Sequence, residues 1–311
     1  MDGQHRRVPH LTRPRYFPFA PGPHRHRVGT RTLDPATWIE FGEDGEAQFA
    51  EKDRLLRTRH GEVVAVLDGP PGPGSSVVRA ASEELLDLVR AGVAATAPAW
   101  LAAREPVIAA AGPLHPIDAA ARLVQEDLCL HLPGEDGVLR LVAASVAFPS
   151  GWVLAEKLGL PVGGIHDPVP GYAAQIGHAV DRVTASLNAD RGLWRLNGSV
   201  FGDDALFRPT YSSDAPERVS ATPPRVPQDV VLRVERQTLR RLPRTGAVVF
   251  TIRTYLDPLT SIEDDAQARA VLAAHLRGLD PEQLEYKRLQ KLAPAVLNWL
   301  DGYSEENPVS S

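Results

Sequence analysis

Over residues 75–97 the apolar side chains Val78, Ala81, Leu85, Leu86, Leu88 and Val89 recur at helical spacing, predicting one amphipathic helix. A shorter helix is expected from Pro116 to about residue 125, its proline suited to the first turn. Beyond it the period changes from 3.6 to 2. In 127–132, Leu128, Leu130 and Leu132 share one face while Cys129 and His131 share the other, the mark of a half-buried strand. A Pro-Gly-Glu-Asp-Gly turn leads to a second strand at 138–148, and the pair reads as a hairpin. Then come a short helix at 152–158, a proline-rich loop holding His166, and an amphipathic helix over 172–187 that carries His178. A third strand is expected at 193–201. Two alternating runs, 230–242 and 247–256, flank Pro243-Arg-Thr-Gly246 and predict a second hairpin. If Leu242 faces Gly246, Glu235 lies across from Arg253; a four-residue loop shifts this register by one. Helices at about 262–278, 281–290 and 292–300 close the pattern.

Ahead of these elements, residues 1–30 are rich in Pro, Arg and His without periodicity, an irregular arm whose charges are expected to be solvated. Residues 33–56 hold scattered apolar anchors, Trp38, Ile39, Phe41 and Phe49, a capping segment that leads to a strand at about 63–67. The glycines of 68–74 precede a Ser pair as in a phosphate loop, but three interleaved prolines remove the N–H donors such a loop uses, so a linker is expected. Residues 202–228 read as a polar, proline-rich excursion. The fold class is α+β: a five-stranded antiparallel sheet with a helical insertion after its second strand, flanked by N- and C-terminal helices. That is the plan of PAS domains, in which the insertion and the inner sheet face enclose a ligand pocket. Residues 31–311 are expected to form a single domain with its core at about 120–260.

Composition narrows the function classes. The 311 residues include 34 Lys plus Arg against 39 Asp plus Glu, a net charge of −5 that argues against broad nucleic-acid binding. The single cysteine, Cys129, excludes an internal disulfide and any multi-cysteine zinc or iron–sulfur site within one chain. No apolar run approaches the roughly 20 residues of a membrane helix, and the basic start holds no signal-peptide core; a cytoplasmic location is the expectation. There is no dinucleotide GxGxxG after a strand, no flavin signature and no CxxC pair, so electrons for any redox reaction come from elsewhere.

Among ten histidines, His166 stands out. It precedes Asp167-Pro168-Val169-Pro170, whose prolines fix φ near −65° and restrict the residues before them, so its imidazole hangs from a stiff backbone. Such rigidity suits a metal or haem ligand, and equally an ordinary buried turn. His178 on the following helix and His131 on the first strand are the alternatives. Cys129 amid leucines reads as a small buried hydrophobe. Glu126 and Asp127 sit where a helix ends and a strand begins. Acids near a helix C-terminus are unfavourable and imply a specific partner.

Several motifs together resemble one family: Gln125-Glu126-Asp127-Leu128, Phe148-Pro149-Ser150, Glu156-Lys157, Ile165-His166-Asp-Pro168-Val169-Pro170, Arg195-Leu-Asn197 and Arg236-Gln-Thr-Leu-Arg-Arg-Leu-Pro243. They resemble the DUF3445 family, whose characterised type is the catalytic (alpha) subunit of a haem-dependent oxidative N-demethylase with a haem-binding PAS-like fold. The likeness runs in consistent order from about residue 30 to 300. It departs at Gly198, where relatives usually follow Arg-x-Asn with Trp, and at Val28-Gly29-Thr30, where they tend to read Met-Gly-Leu. The missing ring at 198 is expected to reshape the cavity.

The resemblance implies haem b, reductive activation of dioxygen, and oxidation of an N-methyl or related amine to the demethylated amine and formaldehyde, with electrons from a separate NAD(P)H-dependent reductase. It makes His166 the expected axial ligand of the iron, with His178 the next candidate. Arg195, Asn197, Arg233 and Glu235 are expected to line the far side, where a cationic or amide donor stabilises developing negative charge and a carboxylate holds an ammonium. Alternatively, Glu235 and Arg253 form a cross-strand salt bridge. Arg236, Arg240, Arg241 and Arg244 cluster on one hairpin, and Arg236 and Arg240 are expected to reach haem propionates. Two other functions fit the same pattern: a haem-PAS gas or redox sensor, and a related oxidase for a specialised amine metabolite.

Overall fold

The computed structural model describes residues 13–23, 25–67, 73–210 and 223–302. After the arm of residues 13–30 come β1 (Arg31–Thr32), α1 (Gly45–Thr58), α2 (His60–Val63), β2 (Val64–Val66), α3 (Pro73–Thr96), α4 (Pro98–Ala110) and α5 (Pro116–Ala121). The hairpin of β3 (Asp127–Pro133) and β4 (Leu139–Ser145) follows, then α6 (Leu154–Lys157), α7 (Val162–His166), a π-helical turn (Ala173–Gly177) and α8 (His178–Ser186). Next are β5 (Leu193–Phe201), β6 (Val231–Arg241) and β7 (Val248–Pro258), and finally α9 (Ala266–Arg277), α10 (Pro281–Tyr286) and α11 (Leu292–Gly302). The expected linker at 68–74 lies outside the described residues except for Pro73 and Gly74, which open α3.

All seven strands form one antiparallel sheet in the order β1-β5-β6-β7-β3-β4-β2. The five strands expected for the sheet are its middle; the strand expected at about 63–67 joins it as β2 on one edge, and β1, unexpected, adds the other, so the expected count is corrected. β1 and β2 have two and three residues, and each covers part of an exposed edge. The β6–β7 register is also corrected. Leu242 N–H donates to Ala247 O at 2.8 Å and Gly246 N–H to Leu242 O at 3.0 Å, closing a four-residue turn in which Gly246 supplies φ of 72°. Arg236 therefore lies opposite Arg253, and Glu235 opposite Thr254.

One face of the sheet is dry. Leu128, Leu130 and Leu132 of β3 and Val249 of β7 pack there against Ala81, Leu85 and Val89 of α3, Ile117 of α5, and Trp38. Fully burying each large aliphatic contributes about 1.5–3 kcal/mol, so this layer supplies most of the packing energy of the domain's middle. The C-terminal helices form a second core with Phe19, Val200, Val230 and Leu232. Among the described helices beyond those expected, α1 and α4 complete the shell. The inward face of α1 carries Gln48 and Lys52 beside Phe49, Leu55 and Leu56, which hides its apolar period. The Ala-rich α4 contains Pro106 and has little contrast between its sides.

Lys52 explains the acids after α5. Its buried ammonium donates to the carbonyls of Ala121, Val124, Gln125 and Glu126 at 2.7–3.4 Å, groups left over where α5 and the turn after it end. The Asp127 carboxylate, fully buried, accepts from Ala147 N–H at 2.8 Å and Phe148 N–H at 3.0 Å. Arg233 donates to Phe148 O at 2.7 Å and Leu206 O at 3.1 Å. Desolvation lowers Lys52 to about 8 and raises Asp127 to about 6, and the attraction between the two charges opposes both shifts. Removing one partner of such a buried set costs about 3–5 kcal/mol. Lys52→Met is therefore expected to lower the urea midpoint of unfolding by that much stability. Arg79→Ala, which breaks the exposed Arg79–Glu83 pair, is expected to change it by less than about 1 kcal/mol.

Candidate functional site

The second face of the sheet is left partly open. Along β6, Val234, Arg236 and Thr238 are buried, but Glu235, Gln237 and Leu239 between them are only half-buried, although β6 has neighbours on both sides. Phe250 on β7 and Arg195 on β5 are half-buried too, and Asn197 is exposed. Register places Arg195 beside Gln237, Asn197 beside Glu235, Cys129 beside Phe250 and His131 beside Val248. From β3 to β5 the floor spans three strand spacings, about 14 Å.

The helical insertion forms the roof. Gly159 N–H donates to Leu141 O and Leu141 N–H to Leu160 O, so the chain runs along the edge of β4 and delivers α7 above the sheet. Ile165 packs with Leu154 and Trp152 on Cys129, Leu141 and Phe250. The expected loop at His166 is instead a helical turn, stopped by Pro168 and Pro170. His166 Nδ1 lies 2.8 Å from Val162 O, and a carbonyl partner requires the hydrogen on Nδ1, leaving a lone pair on Nε2. No described residue hydrogen bonds Nε2. The ring is half-buried and stacked on Tyr172, centroids 4.5 Å apart at 7°. Burial lowers the His166 pKa, and the positive charges of Arg195 and Lys157 add to the effect, so the imidazole is held neutral.

Two further anchors hold the roof. Arg241 donates to Leu187 O at 2.7 Å and Thr184 O at 3.2 Å, tying the end of α8 to the sheet. His26 of the arm sits with Nε2 2.7 Å from Pro170 O, and its N–H donates to Gln175 Oε1 at 3.0 Å. The described part of the arm is irregular as expected. It is packed rather than solvated: Phe19 is buried and Arg15 N–H donates to Asp257.

Of the expected site residues, His166, Arg195, Asn197 and Glu235 share this face. Glu235 Oε2 accepts from Gln237 Nε2 at 3.0 Å and Asn197 Nδ2 at 3.4 Å. Burial lowers the pKa of Lys287, beyond α10, while the charge of Glu235 opposes that shift, a neighbour with no motif to announce it. Arg233 is on the same face; it donates to backbone carbonyls at the Phe148 turn, and its Nε lies 3.9 Å from Glu235 Oε1. Arg236 and Arg240 are corrections, because alternate residues of a strand point to opposite faces. Arg236 lies on the dry face, 3.3 Å from Glu40 and donating to Thr37 O, and Arg240 lies over the Trp38 ring. Arg253 is on that face too, paired with Asp44, so the expected Glu235–Arg253 bridge does not form. Arg244 turns to Asp87 and the hairpin arginines make no cluster. His178 is exposed at the start of α8. Gly198 also faces the dry side, where a Cβ would meet Pro18 Cγ at 2.7 Å. Its missing ring makes room for the arm and leaves the open face unchanged.

Buried atoms on the open face that make no hydrogen bond among the described residues include Nε of Arg195, Nδ1 of His131 and Oγ1 of Thr254. Desolvation lowers the pKa of Arg195, with Glu235 opposing it. A cavity of about 240 Å³ lies elsewhere, lined by Arg59, Trp152, Leu154 and Pro209; Arg59 and Glu62 in it satisfy one another. Over residues 29–297 the sequence matches the family described as haem-dependent oxidative N-demethylase, alpha subunit-like. The chain belongs to this family. Haem dependence, stated in that description, fits the residues present. A neutral imidazole with a free Nε2, an apolar roof and two unpaired nitrogens over a floor about 14 Å wide suit a planar iron-bearing group. Among the described residues no helix is long and apolar enough to cross a membrane.

Burial keeps His131 neutral down to about 4 against an ordinary 6.5. Between these values the unfolded chain binds a proton that the folded chain does not. The stability is thus present above about 6.5 and lost as pH falls toward 4, roughly 3 kcal/mol in all. The difference in unfolding free energy between the parent and His131→Leu is expected to fall by that amount over this window, measured by urea titration at each pH. A pH-independent difference contradicts the assignment.

Proposed function

We propose that this chain is the catalytic subunit of a haem-dependent monooxygenase that oxidises an N-methyl or related amine. The reaction takes one N-methyl amine, dioxygen, two electrons and two protons, and releases the demethylated amine, formaldehyde and water. The observation that carries this reading is His166, whose Nδ1–H is committed to Val162 O while Nε2 is left for iron above a half-open sheet face. The five inner strands, with a helical insertion after the second, support a PAS-like fold, and residues 31–311 act as one catalytic domain behind the arm.

His166 would hold the iron of haem b, which when bound supplies the reductive activation of dioxygen. The residues around it set up binding. Glu235, oriented by Gln237 and Asn197, holds the ammonium of the substrate by a charge-assisted hydrogen bond worth about 1.5–3 kcal/mol. Arg195, desolvated and with Nε unpaired, offers donors where negative charge develops; in a dry site such donors act strongly. Arg233 keeps the Phe148 turn in place and so positions the roof. Without a dinucleotide or flavin motif of its own, the chain draws electrons from a separate NAD(P)H-dependent reductase in the cytoplasm.

Titration of the purified protein with haem is expected to give a Soret band of imidazole ligation, lost in His166→Ala while circular dichroism stays unchanged. With reductant, oxygen and N-methyl amines the loaded protein is expected to release formaldehyde. Glu235→Gln is expected to lower kcat/KM for the amine by about 10- to 100-fold without loss of haem. Unaltered haem uptake by His166→Ala overturns the ligand, and haem uptake without formaldehyde favours a sensor.

A further inference from the structure

His166 rests on Tyr172. That tyrosine is 7% exposed, and its ring lies parallel to the imidazole with centroids 4.5 Å apart at 7°. The segment that brings the two rings together is closely determined. Val169 N–H donates to His166 O at 2.8 Å and Tyr172 N–H to Val169 O at 3.1 Å, two successive turns in which Pro168 and Pro170 fix φ. Gly171 follows at φ of 73°, a conformation that glycine adopts without strain. From outside, His26 holds the same segment at Pro170 O and Gln175 Oε1. The stack is thus set by the backbone on either side of it. A leucine at 172 would bury as well but would offer no flat face to the imidazole.

One hydrogen bond at a ring nitrogen does not fix an imidazole. The ring can still turn about that contact, because the outer torsion of histidine has a broad, roughly two-fold preference. In His166 the bond from Nδ1 to Val162 O decides which nitrogen is left free, and the Tyr172 stack decides the plane in which the ring lies. The lone pair of Nε2 lies in that plane, so the two contacts together give it one direction. The Tyr172 hydroxyl makes no hydrogen bond among the described residues, which leaves the ring as the part that acts. We propose that Tyr172 is a positioning residue, which holds the plane of the His166 imidazole and with it the direction of Nε2, the nitrogen left for iron. This rests on the haem reading above and adds to it a residue that acts only through His166.

The test uses the full chain and two variants. Tyr172→Phe keeps the stacked ring without the hydroxyl, and Tyr172→Leu keeps an apolar side chain without a ring. In the chain before haem is added, the carbon-bound imidazole protons of His166, assigned by their loss in His166→Ala, are read by NMR. A ring stacked face to face is expected to shift them upfield in the parent and in Tyr172→Phe, and to leave them at ordinary positions in Tyr172→Leu. In the haem-loaded chain the readouts are haem affinity and the electron paramagnetic resonance of the ferric cyanide adduct, whose g values follow the plane of the axial imidazole. Tyr172→Leu is expected to weaken haem binding about tenfold and to spread the g values, with Tyr172→Phe at the parent in both. Ordinary proton positions in the parent overturn the proposal whatever the variants do. So does a Leu variant that keeps parental affinity and g values, and so does a Phe variant displaced as far as Leu, which would assign the effect to the hydroxyl. A parent chain that shows the upfield shift but takes up no haem overturns the underlying reading instead.

Discussion

The buried charges at one end of the sheet govern the rest of the molecule. Lys52 gathers the carbonyls that α5 and the following turn leave unpaired, Asp127 takes the two amides at Ala147 and Phe148, and Arg233 takes the Phe148 carbonyl. Each of these groups is costly to desolvate alone, and together they hold the backbone at Ala147 and Phe148, where the chain departs from β4. The departing chain carries α6 and α7 over the open face, so the placement of His166 depends on side chains far from it in sequence.

The sheet divides its labour by face. Its dry side holds the aliphatic core and, where Arg236 and Arg253 are buried, matching acids at Glu40 and Asp44. The other side keeps Glu235, Gln237 and Arg195 half-exposed in the middle of the sheet, where a fold optimised for stability alone would cover them. Unpaired nitrogens at His131 and Arg195 belong to the same face. The dry side and the partly open side are thus separated by one pleat, and a one-residue change of register exchanges their residues.

Much of this was legible from residue patterns. Strands with clean alternation, such as 127–132 and 193–201, and the strong period of α3 appear where expected, and the order of elements implies the inserted roof. The stiff prolines after His166 stop the helical turn on which the structure places it. The failures have physical causes. α1 presents Lys52 and Gln48 inward, so its period is not apolar, and a two-residue edge strand such as β1 carries no pattern. The fate of Arg236, Arg240 and Gly198 turns on which face of a strand is dry, which composition does not reveal. His131 lies among leucines in an ordinary alternation, and no sequence signal marks its burial.

The arm, the π-helical turn and α8 all converge on the segment after His166, through His26 at Pro170 and Gln175 and Arg241 at Leu187. A ligand entering beneath this roof must be felt by it and by the β5 and β6 floor together. Amide hydrogen exchange of the protein with and without added haem measures that most directly. The account predicts added protection over residues 159–187 and 193–199 with the C-terminal helices unchanged. Protection confined to the dry face or to α9, α10 and α11, or none at all, would contradict it.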